Sequence, residues 1–490
     1  MSNANTTLIV SIRKNAQSSF KNKDLKTALS LYTRSLFLRP NDPFAYAERG
    51  LVYRSLKYHE LALVDALRAN EILDDHTDDS LKQFLTIVHA VDVGLSEPNL
   101  EDIERYLNIT RKNIYFCITF ALTDLGLYYD SIEWYKKLEN ISSNDEKNIF
   151  KNRRLAVETK LANESGTSRS GYLSSTARYY WDEHDLRRKN SMRVLTNVNQ
   201  QIGDVSGSSL TVRKMPGASN LQFGVFATDA IYVSSYRTFF TETDIVCVNT
   251  CNPSHPACDR CNITLSESRY KCPYPSCQTV FCMKQCYDAA WNSYHGWLCG
   301  KDLSPILSNI SLDSTTRSLI PLLILKLFSI TKSTSTSTRT NPLELPFVQN
   351  LSTIEYEPPK HRGYDMRSFR DYTAIVKILD ISDDVEFDYW VFMTLDNILM
   401  AHMFAYKTPA GIPWNGFVFP LVSMINHSCT PNAQLELDGS ISKLVPLRDI
   451  MKNEEIHISY INSGPGTSKD ERQEILYNGW GFVCRCERCV

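Results

Sequence analysis

The chain has 490 residues, with 53 Lys and Arg against 55 Asp and Glu, for a formal net charge of -2. At ~150 residues per domain this length supports about three domains with room for buried cores. Charged residues at 22% and hydrophobic ones at 43% exclude wholesale disorder, and the balanced charge offers no overall field for a phosphate backbone, so direct nucleic-acid binding is disfavoured.

Residues 1–15 carry no apolar stretch ahead of a small-residue cleavage site, which reads against secretion and for an intracellular protein of the cytoplasm or nucleus. Residues 8–160 are predicted helical and partly repeated. Ile12/Tyr46, Ala16/Gly50, Ala28/Ala62 and Leu29/Leu63 recur at an offset of 34, with Tyr32 and Pro40 where a first repeat would have them. The small residues Ala16, Ala28, Gly50 and Ala62 allow paired helices to approach closely. A weaker third copy is predicted over residues 125–138, carried by Gly126, Tyr128, Ser131 and Tyr135. The region resembles the tetratricopeptide helix-turn-helix family, which implies a surface for partner peptides. Cys117 reads as a core residue of an apolar helix.

Residues 161–207 weaken into Gly, Ser, Asn and Arg and read as a linker with room for one helix. Two short strands are predicted next, over 209–214 and 222–227, joined by a turn at Pro216 and Gly217; they open a segment spanning 208–250. Cys247 and Cys251 read as free thiols in a loop. Between residues 258 and 299 stand Cys258-x2-Cys261, Cys272-x4-Cys277, Cys282-x3-Cys286 and His295-x3-Cys299. In an unsecreted chain such cysteines point to metal rather than disulfides. Each short spacing lets both members of a pair reach one ion, and thiolate with imidazole is the ligand set of structural zinc, so eight ligands suit two tetrahedral ions. A module this small buries little core, which makes metal its source of folding energy.

Residues 300–410 are predicted mainly helical, over 303–330 and 372–406, around a Thr/Ser-rich loop at 331–340. The most apolar run, 319–330, is broken by Pro321 and Lys326 and falls short of the ~20 residues a membrane span needs, so it reads as a buried helix. Residues 417–460 alternate like strands. They include Asn426-His427-Ser428-Cys429-Thr430-Pro431-Asn432 and Glu454-Glu455-Ile456-His457-Ile458-Ser459-Tyr460, followed further on by Cys484-x-Cys486-x2-Cys489.

In this order and with these gaps the last three segments resemble a SET domain with its post-SET tail, and residues 258–299 resemble a MYND zinc finger. From about Leu210 to Cys489 the chain is similar to the SET and MYND family of protein-lysine methyltransferases, and among them to members with leading tetratricopeptide repeats. The implied fold class is multidomain α+β: helical repeats, then a mostly-β SET domain interrupted by the finger and by a helical insert, then a SET core over 411–463 and a zinc-bound tail over 470–490. The resemblance implies one zinc on Cys258, Cys261, Cys282 and Cys286, a second on Cys272, Cys277, His295 and Cys299, and a third on Cys429, Cys484, Cys486 and Cys489. The four-residue gap between Cys272 and Cys277 is wider than the family's usual two.

The resemblance also implies S-adenosylmethionine as cofactor, contacted at Gly224, His402, Asn426, His427, Tyr460 and Phe482. A channel for the substrate lysine would be walled by Phe404, Tyr460 and Trp480, with the Tyr460 hydroxyl oriented at the methyl-transfer centre. The substrate would be a histone or another protein presenting a lysine. Methyl transfer is a displacement that needs in-line geometry and a neutral amine, which an apolar channel beside a sulfonium charge favours. Three positions depart from the family pattern: Gln222 replaces the first glycine of Gly-x-Gly, His402 stands where relatives have Asn, and Trp480 where they have Tyr. The alternative is a scaffold whose repeats and finger bind partner proteins beside a weak or inactive SET domain.

Overall fold

The computed structural model of the chain describes residues 3–74, 100–163, 171–172, 179, 192–206, 209–215, 223–235, 238–249, 256–265, 269–312, 316–334, 340–351, 363–364, 366–381, 385–407, 414–461, 466–480 and 482–490. It divides into two units: one comprises Met1–Thr176 with Glu357–Arg370 and Asp380–Trp390, and the other holds the remainder.

Among its described residues the first unit holds the helices α1 (Asn3–Lys21), α2 (Leu25–Leu38), α3 (Pro43–Ser55), α4 (His59–Asp74), α5 (Leu100–Asp124), α6 (Tyr128–Asn140) and α7 (Asn144–Asn163). The hairpins α1–α2, α3–α4 and α5–α6 close in one way. Lys23, Lys57 and Gly126 take left-handed φ of 63°, 64° and 76°, and the N–H groups of Asp24, Tyr58 and Leu127 donate back to the carbonyls of Ser19, Tyr53 and Leu122, each at 2.9 Å. This is the helix-terminating cap that a single left-handed residue makes possible. The two lysines stand 34 positions apart, matching the sequence offset, and the third turn falls on Gly126. A Cβ at Gly50 would lie 3.2 Å from the Ala62 carbonyl and 3.4 Å from the Cys117 Sγ, so the packing of α3, α4 and α5 needs a minimal side chain there. Cys117 is a core residue, as its apolar surroundings in the sequence suggest. Arg49 is buried, bidentate to Asp65 at 2.7 and 2.8 Å, and reaches Asp388 at 3.1 Å. α1, α3 and α5 line a cavity of about 300 Å³ bordered by Lys14, Phe44, Glu48, Tyr106 and Ile109.

The second unit is a set of small sheets: β1 (Leu210–Lys214), β2 (Phe223–Ala227), β3 (Phe240–Thr243), β4 (Val246–Asn249), β5 (Tyr270–Lys271), β6 (Val280–Phe281), β7 (Met403–Lys407), β8 (Trp414–Val418), β9 (Asn426–His427), β10 (Ala433–Asp438), β11 (Ile441–Pro446) and β12 (His457–Ile458). β1 pairs antiparallel with β2, near the predicted strand positions; the expected turn at Pro216 and Gly217 lies outside the described residues. β3 borders β11, β4 borders β8, and β9 lies parallel to β12. Strands that precede the Cys/His-rich segment 258–299 in sequence are thus completed by strands that follow it, around a core of Val225, Phe240, Phe417, Phe419, Val422, Leu444 and Ile456.

Two expectations change, and the one helix allowed for in residues 161–207 is located. The segment read as a linker contains the helix Met192–Ser206, whose Val198 and Ile202 sit in this core, and whose Asn199 accepts from the Val212 N–H at 2.6 Å and donates to its carbonyl at 3.0 Å. That helix belongs to the β unit because its apolar face is needed to cover β1. The helix predicted to reach Tyr406 stops at His402, since residues 403–407 pair instead with β8. Cys247 is a free thiol but sits buried on β4, donating to the Arg260 carbonyl at 3.0 Å, rather than in a loop; Cys251 lies outside the described residues.

The helix Ile320–Thr334 is buried along most of its length, with Pro321 at its second position, where a missing N–H leaves no bond unmade. Its Lys326, only 6% exposed, donates to the Asp259 carbonyl at 2.8 Å and carboxylate at 3.1 Å. Among the described residues no helix is long and apolar enough to cross a membrane.

Candidate functional site

Three groups of side chains have ligand atoms within 4.8 Å of one another: Cys258, Cys261, Cys282 and Cys286; Cys272, Cys277, His295 and Cys299; and Cys429, Cys484, Cys486 and Cys489. A tetrahedron of thiolates around zinc, with Zn–S near 2.3 Å, has S···S edges of about 3.8 Å. In the first group Cys261 stands 3.7 Å from Cys282 and 4.0 Å from Cys286. In the second, Cys272 lies 3.6 Å from Cys299, and the His295 Nε2 lies 3.4 Å from Cys272 and 3.6 Å from Cys277. In the third, Cys429 is 3.9 Å from Cys484 and 3.5 Å from Cys489. These spacings suit zinc apart from Cys282 and Cys286, whose sulfurs at 3.3 Å would move apart by a few tenths of an ångström on metal binding. The wide gap between Cys272 and Cys277 is spent on a turn closed by the Cys277 N–H donating to the Tyr274 carbonyl at 3.0 Å, so both thiols still face one point.

The first group is set into the β unit. Arg260 pairs with Asp244 at 3.1 Å, and Asn262 donates to the Val248 carbonyl at 3.0 Å while accepting from Asn249 at 2.8 Å. Asp259 accepts from Lys326 and, at 2.8 Å, from the Tyr294 hydroxyl; burial opposes ionisation there, and these partners still hold its carboxyl below the ordinary range.

Beside the third group the motif segments converge. Asn426 and His427 pair with His457 and Ile458 as parallel strands, and Ser428 N–H extends the pairing to the Ile458 carbonyl at 3.0 Å. Asn426 Nδ2 donates to the Phe223 carbonyl at 2.9 Å and to Glu455 Oε1 at 2.8 Å, tying β2 to both motifs. The Tyr460 hydroxyl donates to the Ile425 carbonyl at 2.5 Å. Its ring lies 5.3 Å from Trp480, 5.3 Å from His427 and 6.3 Å from Phe482. Burial, then the Glu455 charge, pushes the phenol's ionisation well above its usual range, so it stays protonated. Burial, then the charges of His457 and Arg472, lowers His427 to about 4, leaving a neutral imidazole. Asn426, His427, Tyr460, Trp480 and Phe482 are each partly exposed over a buried core, an arrangement open to a ligand that presents both polar and apolar surface.

The remaining expected site residues are placed less directly. Phe404, on β7, packs on Phe419 at 5.9 Å against the same core that Tyr460 covers. His402 is buried at the end of the helix Tyr389–His402. Gly224 lies on β2 opposite Arg213, and Gln222 lies outside the described residues.

Sequence reading missed several supporting groups. Glu242 accepts from the backbone N–H of Leu421 at 3.0 Å and Val422 at 2.8 Å, holding the turn that leads into Asn426; burial raises its carboxyl to about 7 against these bonds. Its signal was a glutamate at an inward position of an alternating strand. Asn432, inside a quoted motif, donates to the Glu455 carbonyl at 2.7 Å and accepts from the His457 N–H at 2.8 Å. Arg472 donates to the Arg488 carbonyl at 2.8 Å and to Cys489 Sγ at 3.4 Å.

Residues 222–461 match the SET domain family. A histone-lysine N-methyltransferase SET5 of Eremothecium gossypii is 40% identical over 75 residues, 15% of this chain and 15% of that protein. A histone-lysine N-methyltransferase ATXR4 of Arabidopsis thaliana is 42% identical over 73 residues, covering 15% of this chain and 22% of its own. The SET domain and MYND-type zinc finger protein 6 of Schizosaccharomyces pombe is 44% identical over 69 residues, 14% of each chain. The chain therefore matches these relatives over about a fifth of their length or less.

Proposed function

We propose that the protein is a protein-lysine N-methyltransferase that uses S-adenosylmethionine. The observation that carries this reading is the convergence of the Tyr460 phenol and the Asn426–His427 pair, both inside the residues 222–461 that match the SET domain, with the thiol cluster that joins Cys429 to Cys484, Cys486 and Cys489 beyond that match. The sulfonium cofactor supplies the methyl group. The backbone around Gly224, Asn426 and His427, with His402, Tyr460 and Phe482, would hold it, and Phe404, Tyr460 and Trp480 would wall the lysine channel. Because the Tyr460 proton is committed to the Ile425 carbonyl, the phenol oxygen presents lone pairs that accept from the substrate amine and orient it. Trp480 adds bulk without a further oxygen beside the phenol, which narrows the space for a methylated amine.

On this reading the helices of residues 8–160 are tetratricopeptide-like repeats, 258–299 is a MYND-type finger with two zinc ions, 208–250 and 411–463 form the SET domain around the insert at 300–410, and 470–490 is a post-SET tail with a third zinc. The zinc ions are structural. Partners are an intracellular protein substrate, a histone among the candidates, and peptides docking on the helical unit. The test is transfer of labelled methyl from S-adenosylmethionine to a histone or lysate pool, beside Tyr460→Phe. We expect transfer that the substitution reduces by at least tenfold. Absence of both transfer and calorimetric cofactor binding would favour the scaffold reading instead.

A further inference from the structure

His427 is engaged on both ring nitrogens. The backbone N–H of Tyr460 points at Nδ1 at 3.0 Å, and Nε2 lies 3.3 Å from the Sγ of Cys429. A backbone N–H only donates, so Nδ1 must carry the lone pair, and that places the ring proton on Nε2. Among the described residues that N–H faces the Cys429 thiol. Four thiolates around a divalent cation leave two net negative charges, which a partly buried site must offset with N–H donors. The other donors are in place: Arg472 reaches Cys489 at 3.4 Å, and the Cys486 N–H reaches Cys484 at 3.5 Å. Arg472 also bonds the Cys429 thiol, and His427 adds a second donor to it at 3.3 Å.

We propose that His427 is a positioning residue that joins the terminal thiol cluster to Tyr460, its Nε2–H donating to the Cys429 thiolate while its Nδ1 accepts the Tyr460 N–H. Metal at the cluster makes Cys429 a fixed anionic acceptor, which orients the ring; the ring in turn holds the backbone that carries the phenol. Any hydrogen bond from the His427 side chain to a cofactor would have to break one of these two, so its contribution to cofactor binding is left to its backbone. The link to chemistry rests on the methyltransferase reading, but the hydrogen-bond relay does not.

The test uses the full chain loaded with cadmium-113 at all three clusters and labelled with nitrogen-15 in histidine. The His427 resonances, identified by their loss in His427→Gln, should show Nε2 protonated and Nδ1 bare, with a scalar coupling carried from the Nε2 proton through sulfur to one cadmium. That cadmium is assigned by its loss in Cys429→Ser. A protonated Nδ1, or an Nε2 bound directly to the metal, overturns the proposal. His427→Phe keeps a flat ring without donor or acceptor and should weaken cadmium at this cluster by about 10- to 100-fold in chelator competition, with the other two clusters as internal controls. His427→Gln, whose amide N–H falls near the Nε2 position, should recover most of that loss. Equal affinity in all three proteins overturns the relay. In methyl-transfer assays His427→Phe should lower kcat more than it raises the KM for cofactor; the reverse pattern would assign His427 to cofactor binding. If the protein transfers no methyl group at all, the cadmium and nitrogen spectra still decide the relay.

Discussion

At Gly224 the backbone of β2 passes so near the second motif that a Cβ would lie 2.5 Å from Glu455 Oε1 and 2.9 Å from the Met215 Sδ. The same Oε1 accepts from Asn426, so Gly224→Ala must displace the bond that ties β2 to the Asn-His strand. We expect a loss of about 1–3 kcal/mol in urea denaturation, together with weaker cofactor binding by calorimetry. Glu242 gives a pH signature. Its ordinary carboxyl value of 4.5 is raised to about 7 in the folded chain, so its favourable contribution is complete below pH 4.5 and is lost as pH rises through 7. The stability difference between the parent and Glu242→Gln should therefore shift against the parent across that window, and a pH-independent difference would contradict the assignment. At this scale the sequence was uneven. Residues inside the motifs, such as Asn426 and Tyr460, can be singled out from the sequence because their chemistry is announced by close neighbours. Glu242 and the second face of His427 were not, because their partners arrive from distant segments or from the path of a backbone.

Among the elements, the Cys/His-rich segment 258–299 is the one whose placement the cysteine spacing could not reveal. Pairs of thiols were readable from their gaps, and the grouping that the family resemblance implied is the one the ligand atoms adopt. What the gaps do not encode is that the first knuckle is clamped by Lys326 from the helix Ile320–Thr334 and by Arg260 and Asn262 against β3, β4 and the turn between them. Lys326 looked like a break in an apolar run, whereas it is the buried cation that satisfies Asp259 and lies 4.4 Å from the Tyr294 ring centre. Removing one partner of such a pair strands the other, so Lys326→Met should cost about 3 kcal/mol in denaturation of the metal-loaded protein. A neutral result would mean that Asp259 finds a replacement partner. The helical hairpins were the most legible elements, since a 34-residue offset repeats both the small packing residues and the left-handed turn positions Lys23 and Lys57.

For the molecule as a whole, the three clusters all fall in the β unit, and none among the described residues falls in α1–α7. Stripping metal with a strong chelator should accordingly raise amide hydrogen exchange across residues 256–299 and 466–490 and in the strands they brace, while α1–α7 keep their protection. Equal deprotection of the hairpins would show that metal supports them as well. The helix Met192–Ser206 falls in the segment read as a linker with room for one helix; its reason for folding is an apolar face in the core beside β1 that no local pattern records. The strand pairings that the finger and insert interrupt carry a kinetic cost. Asn426 meets Phe223 across 203 positions, Glu242 meets Leu421 across 179, and Arg213 meets Asn453 across 240. Closing loops of this length is slow, and during synthesis the early strands leave the ribosome with bare edges long before their mates are made. That interval, in which early edges wait for late partners, is where misassembly competes with the native pairing.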